Sequence, residues 1–438
     1  MAKDAQGHEL SGANTGAALA LDAAVRAYTL AYGDLGKHLA EAEAAAPRCA
    51  MAGLIRAWVL TLSNDPAQVA DARALIGTLS DLPMNERENA HLAALKLAAE
   101  GRWPSAVTRL DRHVMAYPHD LMAHQVVMRL DGFLGRFHQV ADRTAGALPS
   151  WSKEQPGYGI VLSFYGFGLE EAGDYQRAED VSREAAALEP HGYWPHHAMS
   201  HVLEMTGRPS EGLAWMDQRQ PFWAGPRNSN RVHIWWHRSL FHVELGQWEA
   251  ALDLYDKEIL PTLRPLGTSL CNAPSLFWRL ETLGCDVGDR WRNVFPLWLD
   301  RANGSTSPFN DIHFAMTALR ADEPAAFDTL RASMEKSAAR GGELAPAYRD
   351  MALPVVDAIA KMAEGAPADA VETLLPVRSH LWRMGGSKAQ RDLVEWTLLV
   401  AAVDAGNRPV AMSLAHARLA ARPGSAVNQY LLEKARAA

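Results

Sequence analysis

Between His191 and Gly246 the chain reads HGYWPHHAMSHVLEMTGRPSEGLAWMDQRQPFWAGPRNSNRVHIWWHRSLFHVELG, and seven of its 17 histidines fall there. His197, His201 and Glu204 stand at i, i+4 and i+7. On a helix turning 100° per residue they lie within about 60° of one another, on one stripe. His233, His237 and Glu244 stand at i, i+4 and i+11 and form a second stripe, with His242 nearly opposite. Two imidazoles one turn apart chelate a metal from one helix face, and donors from a second helix complete a Zn²⁺ or Fe²⁺ shell. His197, His201, His233 and His237 are therefore the metal-ligand candidates. With an open coordination position such an ion activates water for hydrolysis, with Glu204 or Glu244 as general base. The spacing is not HExxH, because Ala198 follows the first histidine where that motif has glutamate. The same six residues also suit metal-free catalysis, a carboxylate orienting an imidazole that shuttles a proton. A third option is binding alone: protonated histidines grip an anion or a peptide terminus, and affinity falls as pH rises through their pKa. The structural alternative is a network in which imidazoles and carboxylates satisfy one another between helices.

The elements that must position these residues show in the surrounding pattern. Alanine and leucine dominate, charges are spaced for helices, and strand alternation is nearly absent, so the chain reads as all-α. A turn glycine followed five positions later by a small residue recurs as Gly101…Ala106, Gly173…Ala178, Gly246…Ala251, Gly365…Ala370 and Gly406…Ala411, with weaker copies at Gly135 and Gly207. Prolines 118, 149, 190, 221, 261 and 423 lie 14 to 17 positions after a turn glycine. Glycine ends a first helix in a left-handed conformation, the small residue admits close helix approach, and proline stops a second helix. Successive glycines at 101, 135, 173, 207 and 246 are 34, 38, 34 and 39 residues apart. This is a repeated helical hairpin.

A period near 34, with GDYxxA at Gly173 and a proline 17 later, resembles the tetratricopeptide repeat. Gly166, Ser200 and Ser239 hold the small helix-packing position of three copies. Counting the turn glycine as position 15, the resemblance implies that positions 2, 5, 9 and 12 of a first helix face a concave groove. Trp194, His197, His201 and Glu204 hold those four positions, and His233, His237 and Glu244 hold 2, 6 and 13 of the next copy. Ser163 and Glu170 hold 5 and 12 of the copy before. All would face one concavity walled by Trp194, Trp235 and Trp236, although tryptophans at such spacing are as readily core. In chaperone-binding arrays of this repeat, lysines and asparagines at these positions clamp a C-terminal carboxylate; here histidines replace them.

Residues 17–46 and 50–79 read as two degenerate hairpins, 85–261 carries the clearest copies, 262–350 is degenerate though helical, and 351–438 supplies capping hairpins. Residues 1–13 read as a flexible tail. No linker marks a domain boundary, so 1–438 is expected to form one α-solenoid, because stacked hairpins bury a core only through their neighbours. A net charge of -8 without basic blocks argues against nucleic-acid and membrane partners. Three cysteines make no disulfide framework, and no apolar run reaches the roughly 20 residues of a membrane span. The N-terminal stretch lacks the apolar core of a signal peptide, so a cytoplasmic protein is expected. Its partner would be a small molecule or a peptide, and homo-oligomers are compatible with the pattern.

Four stretches carry a resemblance to the tetratricopeptide repeat protein 38 family along nearly the whole chain: His197–Met205 (HAMSHVLEM), His233–His237 (HIWWH) with Glu244 and Ala250–Asp256, Phe309–Phe314 (FNDIHF), and Gly385–Asp392 (GGSKAQRD). The resemblance implies a tetratricopeptide-like solenoid and supplies no chemistry. Asn272 stands where the family is expected to carry aspartate, making this site less acidic. Asn310, Asp311 and His313 are binding candidates that close the pocket, Asp311 doubling as a helix cap. Gly385–Asp392 reads as a glycine hinge with Ser387 as cap, or as an anion-binding helix start, with Arg391 and Asp392 in structural ion pairs. The functional reading is a His/Glu pocket that binds a small molecule, with hydrolytic chemistry. The alternative is a protein-interaction scaffold.

Overall fold

The structure is a computed structural model and describes residues 2–438. Among the described residues there is no named strand, only two isolated β-bridges, Lys3 with Glu9 and Tyr32 with Asn228. The rest is a run of helical hairpins. The hairpin Tyr158–Ala172/Tyr175–Leu188 shows why the repeat folds as it does. Gly173 takes φ +90°, and its N–H and that of Asp174 return to the carbonyls of Glu170 and Leu169. Asp174 then caps the second helix by accepting from Arg177 N. A side chain at Gly166 would overlap the Ser182 hydroxyl, so glycine there sets the helix approach. Ala178 is buried in the same interface.

The chain divides into two compact units, where one continuous solenoid was expected. The first holds residues 1–132, 136–199 and 221–231; the second holds 133–135, 200–220 and 232–438. No linker separates them in sequence, because the chain passes between them several times, once inside the helix Tyr193–Met205.

In the first unit the hairpins Thr15–Thr29/Leu35–Ala45, Ala50–Thr61/Pro66–Leu79, Glu86–Ala99/Trp103–Ala116 and Leu121–Phe133/His138–Ala147 precede the one described above. The unit closes on itself. Tyr193 N donates to Leu30 O at 2.9 Å, Gly33 N to Arg227 O at 2.9 Å, and Arg26 pairs with Glu189 at 2.8 Å. Residues 2–13 are not a free tail. Leu10 is buried, Ser11 N donates to Glu88 Oε1 at 2.9 Å, and Ala5 N donates to Asp22 Oδ1 at 2.9 Å. Asp4 also pairs with Arg87 at 3.2 Å, so one apolar side chain, backbone donors and an ion pair fasten this polar segment.

The second unit carries Arg231–Glu244/Trp248–Leu254, Asn272–Thr282/Arg290–Trp298, Pro308–Arg320/Pro324–Arg340, Leu353–Ala363/Pro367–Leu374, Lys388–Asp404/Arg408–Ala421 and the last helix Ala426–Ala437. Residues 262–350 thus keep regular hairpins, including Arg290–Trp298, which the lapsed glycine pattern hides. The C-terminal hairpins do more than cap an end. Thr397 Oγ1 accepts from Trp278 Nε1 at 2.9 Å, Ala389 O accepts from Arg279 Nη2 at 2.9 Å, and Ser425 Oγ donates to Glu244 Oε2 at 2.7 Å. They return to the first helices of their own unit and enclose its interior.

Candidate functional site in the second unit

Two helices bring the leading histidines together. His201 comes from Tyr193–Met205, and His233 and His237 from Arg231–Glu244. The candidate ligand atoms of these three lie within 4.8 Å of one another. His201 and His237 are fully buried and their rings are 4.5 Å apart; His233 is half-buried and marks where the group nears solvent. His197, one turn earlier on the same helix, belongs to the first unit. It stacks on Tyr193 and leans on Phe167.

Outer groups fix two of the rings. His237 Nδ1–H donates to Glu204 Oε2 at 3.2 Å. His233 Nδ1–H donates to Asn272 Oδ1 at 2.6 Å. The Asn272 amide is oriented in turn, since its Nδ2 donates to Ser269 O at 2.7 Å. The Asn272 oxygen can only accept, so His233 is held in the tautomer whose Nε2 carries the lone pair, and the ionised Glu204 carboxylate holds His237 in the same tautomer. Trp236 stacks on His233 at 4.9 Å and 10°.

Charge surrounds this group. Burial pushes the Glu204 carboxyl up to about 7, against the lowering fields of His201, Arg422 and Arg279. Asp392 accepts from Arg418 at 2.7 and 2.9 Å and from Arg422 at 2.9 Å. Burial alone would raise Asp392, but the two guanidiniums prevail and hold it well below the usual carboxylate range. Arg279, on the helix Asn272–Thr282, is buried over the Trp236 ring at 5.8 Å. Burial lowers its pKa to about 10, which leaves it charged at neutral pH. Arg279, Arg418 and Arg422 were not sequence candidates. One signal was available: Asn272, Ser275 and Arg279 make a polar i, i+3, i+7 stripe on an otherwise apolar helix.

The remaining candidates divide. His313 is buried, its Nδ1 donates to Phe309 O at 2.7 Å, and burial with the nearby Arg279 charge lowers its pKa to about 4. Asn310 is buried under Gly267, where a side chain would overlap its amide. Asp311 is not the helix cap; Ser307 is, accepting from Asn310 N. Asp311 sits one turn inside, accepting from Gly304 N at 3.0 Å and Tyr348 Oη at 2.7 Å, with its pKa raised to about 6 by burial. It ties a loop to a neighbouring helix. Glu244 lies two turns beyond His237, roughly 10 Å along the axis. It accepts from Ser425 rather than standing beside the histidines, so the expected base is displaced to the C-terminal turn. Ser387 caps its helix in a capping box with Gln390, as the hinge reading expects, and a side chain at Gly386 would crowd Phe309 at 2.8 Å.

Ser163, Glu170 and Trp194 belong to the first unit and are buried there. Ser163 Oγ donates to Ile160 O at 2.6 Å within its own helix, and Trp194 Nε1 donates to Gln125 Oε1 at 3.2 Å. Trp194 packs against Phe164 and Phe167. Trp235 and Trp236 are also buried.

The first unit holds a contrasting cluster. Asp120 Oδ2 accepts from His91 Nε2 at 3.0 Å, His113 Nε2 at 3.0 Å and Arg87 Nη1 at 3.1 Å. Trp58 Nε1–H donates to His91 Nδ1 at 3.2 Å. That bond sets the opposite tautomer: His91 Nε2 carries the hydrogen and has no lone pair for an ion. This is a buried structural hub.

No family model matches the chain. Among solved structures it is similar to the human IFIT1 dimer with m7Gppp-AAAA, at 12% identity over 89% of this chain and 90% of that chain, TM-score 0.43. It is similar also to Cut9–Hcn1, an APC/C hetero-tetramer, at 14% identity over 92% of this chain and 72% of that chain, TM-score 0.39. At these scores neither carries an argument about ligand or partner.

Proposed function

We propose that the second unit holds a divalent metal through His201, His233 and His237 and uses it on a small molecule. One observation carries this reading. The two rings whose outer contacts are defined both turn Nδ1–H to an acceptor, Glu204 or Asn272, which aims the Nε2 lone pairs inward. Metal-binding histidines are oriented by such outer partners, and Zn²⁺ and Fe²⁺ suit an imidazole-rich set. A bound ion would supply an activated water or a polarised carbonyl, hence a hydrolase. Glu204 positions His237, and a carboxyl near neutrality in its pKa is suited to holding a proton beside the site.

The four stretches similar to the tetratricopeptide repeat protein 38 family meet around this interior, which supports placing the chain with that family. His201 and Glu204 come from the first, His233, Trp236 and His237 from the second, His313 from the third, and Ala389 and Asp392 from the fourth.

The test is elemental analysis of full-length protein purified without a nickel column. Near-stoichiometric zinc or iron is expected, falling in His201→Ala and His237→Ala while the helical circular dichroism persists. Metal-free protein that is indifferent to chelators and to added zinc would overturn the reading. The protein-interaction scaffold would then be the better account, with partners lost on changing exposed residues rather than these buried histidines.

A further inference from the structure

Arg279 is a buried cation that has not been given a buried anion. Nη1 donates to Ser275 O at 2.8 Å and to Ser275 Oγ at 2.6 Å, and Nη2 donates to Ala389 O at 2.9 Å. All three acceptors are neutral. A guanidinium has five N–H donors, so two remain without an acceptor in the protein. The nearby carboxylates are engaged elsewhere: Asp392 by Arg418 and Arg422, and Glu204 by His237. The side chain is 3% exposed. Taking such a charge out of water costs several kcal/mol unless an ion partner compensates.

Its surroundings are those of the site. Asn272, one face with Ser275 and Arg279, orients His233. Trp236, which stacks on His233, also lies under the guanidinium. The Arg279 charge is felt at Glu204 on one side and at His313 on the other. His313, with Nδ1–H bonded to Phe309 O, keeps a lone pair on Nε2 and adds no competing charge.

We propose that the small molecule handled here carries an oxyanion, a carboxylate or a phosphate, and that Arg279 binds it. The planar fork of arginine matches either group with two parallel N–H donors. Bound this way, the anion is the missing counter-charge of Arg279 and is held next to the histidine group, with the half-buried His233 on the side of entry. The inference deepens the small-molecule reading above; it names the ligand class for the same interior but does not depend on the metal.

The test uses the full chain and two probes, inorganic phosphate and acetate, titrated calorimetrically into chelator-treated and zinc-loaded protein. One or both should bind wild type with one-to-one stoichiometry. Arg279→Gln should weaken that binding roughly tenfold or more, because charge-assisted hydrogen bonds are lost. Arg279→Lys keeps the charge, loses the fork and should fall between. Arg320→Gln, on a surface pair with Glu281, should bind as wild type. Zinc content should be unchanged in the Arg279 variants. If Arg279→Gln fails to fold by circular dichroism, Arg279→Lys decides alone. Wild type indifferent to both anions at tens of millimolar, or equal binding by wild type and Arg279→Lys and Arg279→Gln, overturns the proposal. Anion binding to metal-free protein with no zinc uptake would uphold Arg279 and sink the metal; zinc uptake with no anion response would do the reverse. Preference for phosphate over acetate, or the opposite, assigns the anion.

Discussion

Glu204→Gln should make the metal-free protein more stable and the metal site weaker. The ordinary glutamate value of 4.5 is raised to about 7 here, with burial the largest cause. Between those two pH values the native state keeps a proton that the unfolded chain has lost. Stability therefore falls as pH rises through that window, and above it the whole penalty is present. The shift corresponds to about 3 kcal/mol. Glutamine removes the charge and retains a carbonyl oxygen for His237 Nδ1–H, but its NH₂ must find an acceptor, which costs about 1 kcal/mol. The net gain at pH above about 7 is thus about 2 kcal/mol, or a rise of roughly 4–8 °C in Tm.

The assay is thermal and urea unfolding of chelator-treated wild type and Glu204→Gln from about pH 5 to about pH 8. Other titrating groups cancel in the difference, so the gap between the two curves isolates Glu204. It should be near zero at the acid end and widen through neutrality. In parallel, competitive zinc titration should show affinity reduced roughly 10–100-fold, the usual consequence of losing an outer carboxylate on a ligating histidine. Parallel pH–stability curves would refute the buried-carboxyl argument. Unchanged zinc affinity would refute the role given to the Glu204–His237 bond.

Two further outcomes follow from geometry elsewhere in the second unit. Asp392→Asn should cost about 3–5 kcal/mol in urea unfolding, because Arg418 and Arg422 lose their shared counter-charge in a buried place. The wild-type contribution is full above the ordinary aspartate value of 3.8 and disappears as pH falls toward the depressed native value, so the gap should close in strong acid. Gly135→Ala should lower Tm measurably, since Gly135 has φ +66° and an added Cβ would overlap the Trp382 carbonyl; an unchanged Tm would mean this close approach is not held in solution.

The hairpins were legible because their punctuation is chemical. Gly173, Asp174 and Pro190 each do a job that other residues do poorly, so their spacing exposes the helix ends. Arg290–Trp298 escaped because Gly284 stands in a turn with no small residue five positions on, and Pro296 inside the helix mimics a stop. Residues 2–13 looked unstructured because their fastening uses Ser11 and Ala5 backbone donors, which no composition reveals. The division into two units was invisible for a different reason. Compactness depends on which distant hairpins touch, as Glu244 and Ser425 do across 181 residues, and a local repeat pattern carries no information on that.

The same limit explains what was found and missed at the site. Helical spacing put His201 with Glu204 and His233 with His237 on common stripes; in the second unit the His233 and His237 rings are 4.7 Å apart and Glu204 bonds to His237. It could not tell Glu204 from Glu244, since both lie on their stripes; only the contact with His237 separates them. It could not see Arg279, whose importance lies in what it lacks. A buried guanidinium bonded only to Ser275 and to the Ala389 carbonyl is unremarkable in sequence and costly in structure. Register implied a concave groove holding a His/Glu pocket, walled by Trp194, Trp235 and Trp236, with a peptide terminus as the alternative ligand. Closure of the second unit instead turns its first helices inward, burying His201, His237, Asn272, Arg279 and His313 together. Charges buried in this way interact more strongly than they would in water. On that ground we propose a small molecule with an anionic group at Arg279 rather than a clamp on a protein terminus.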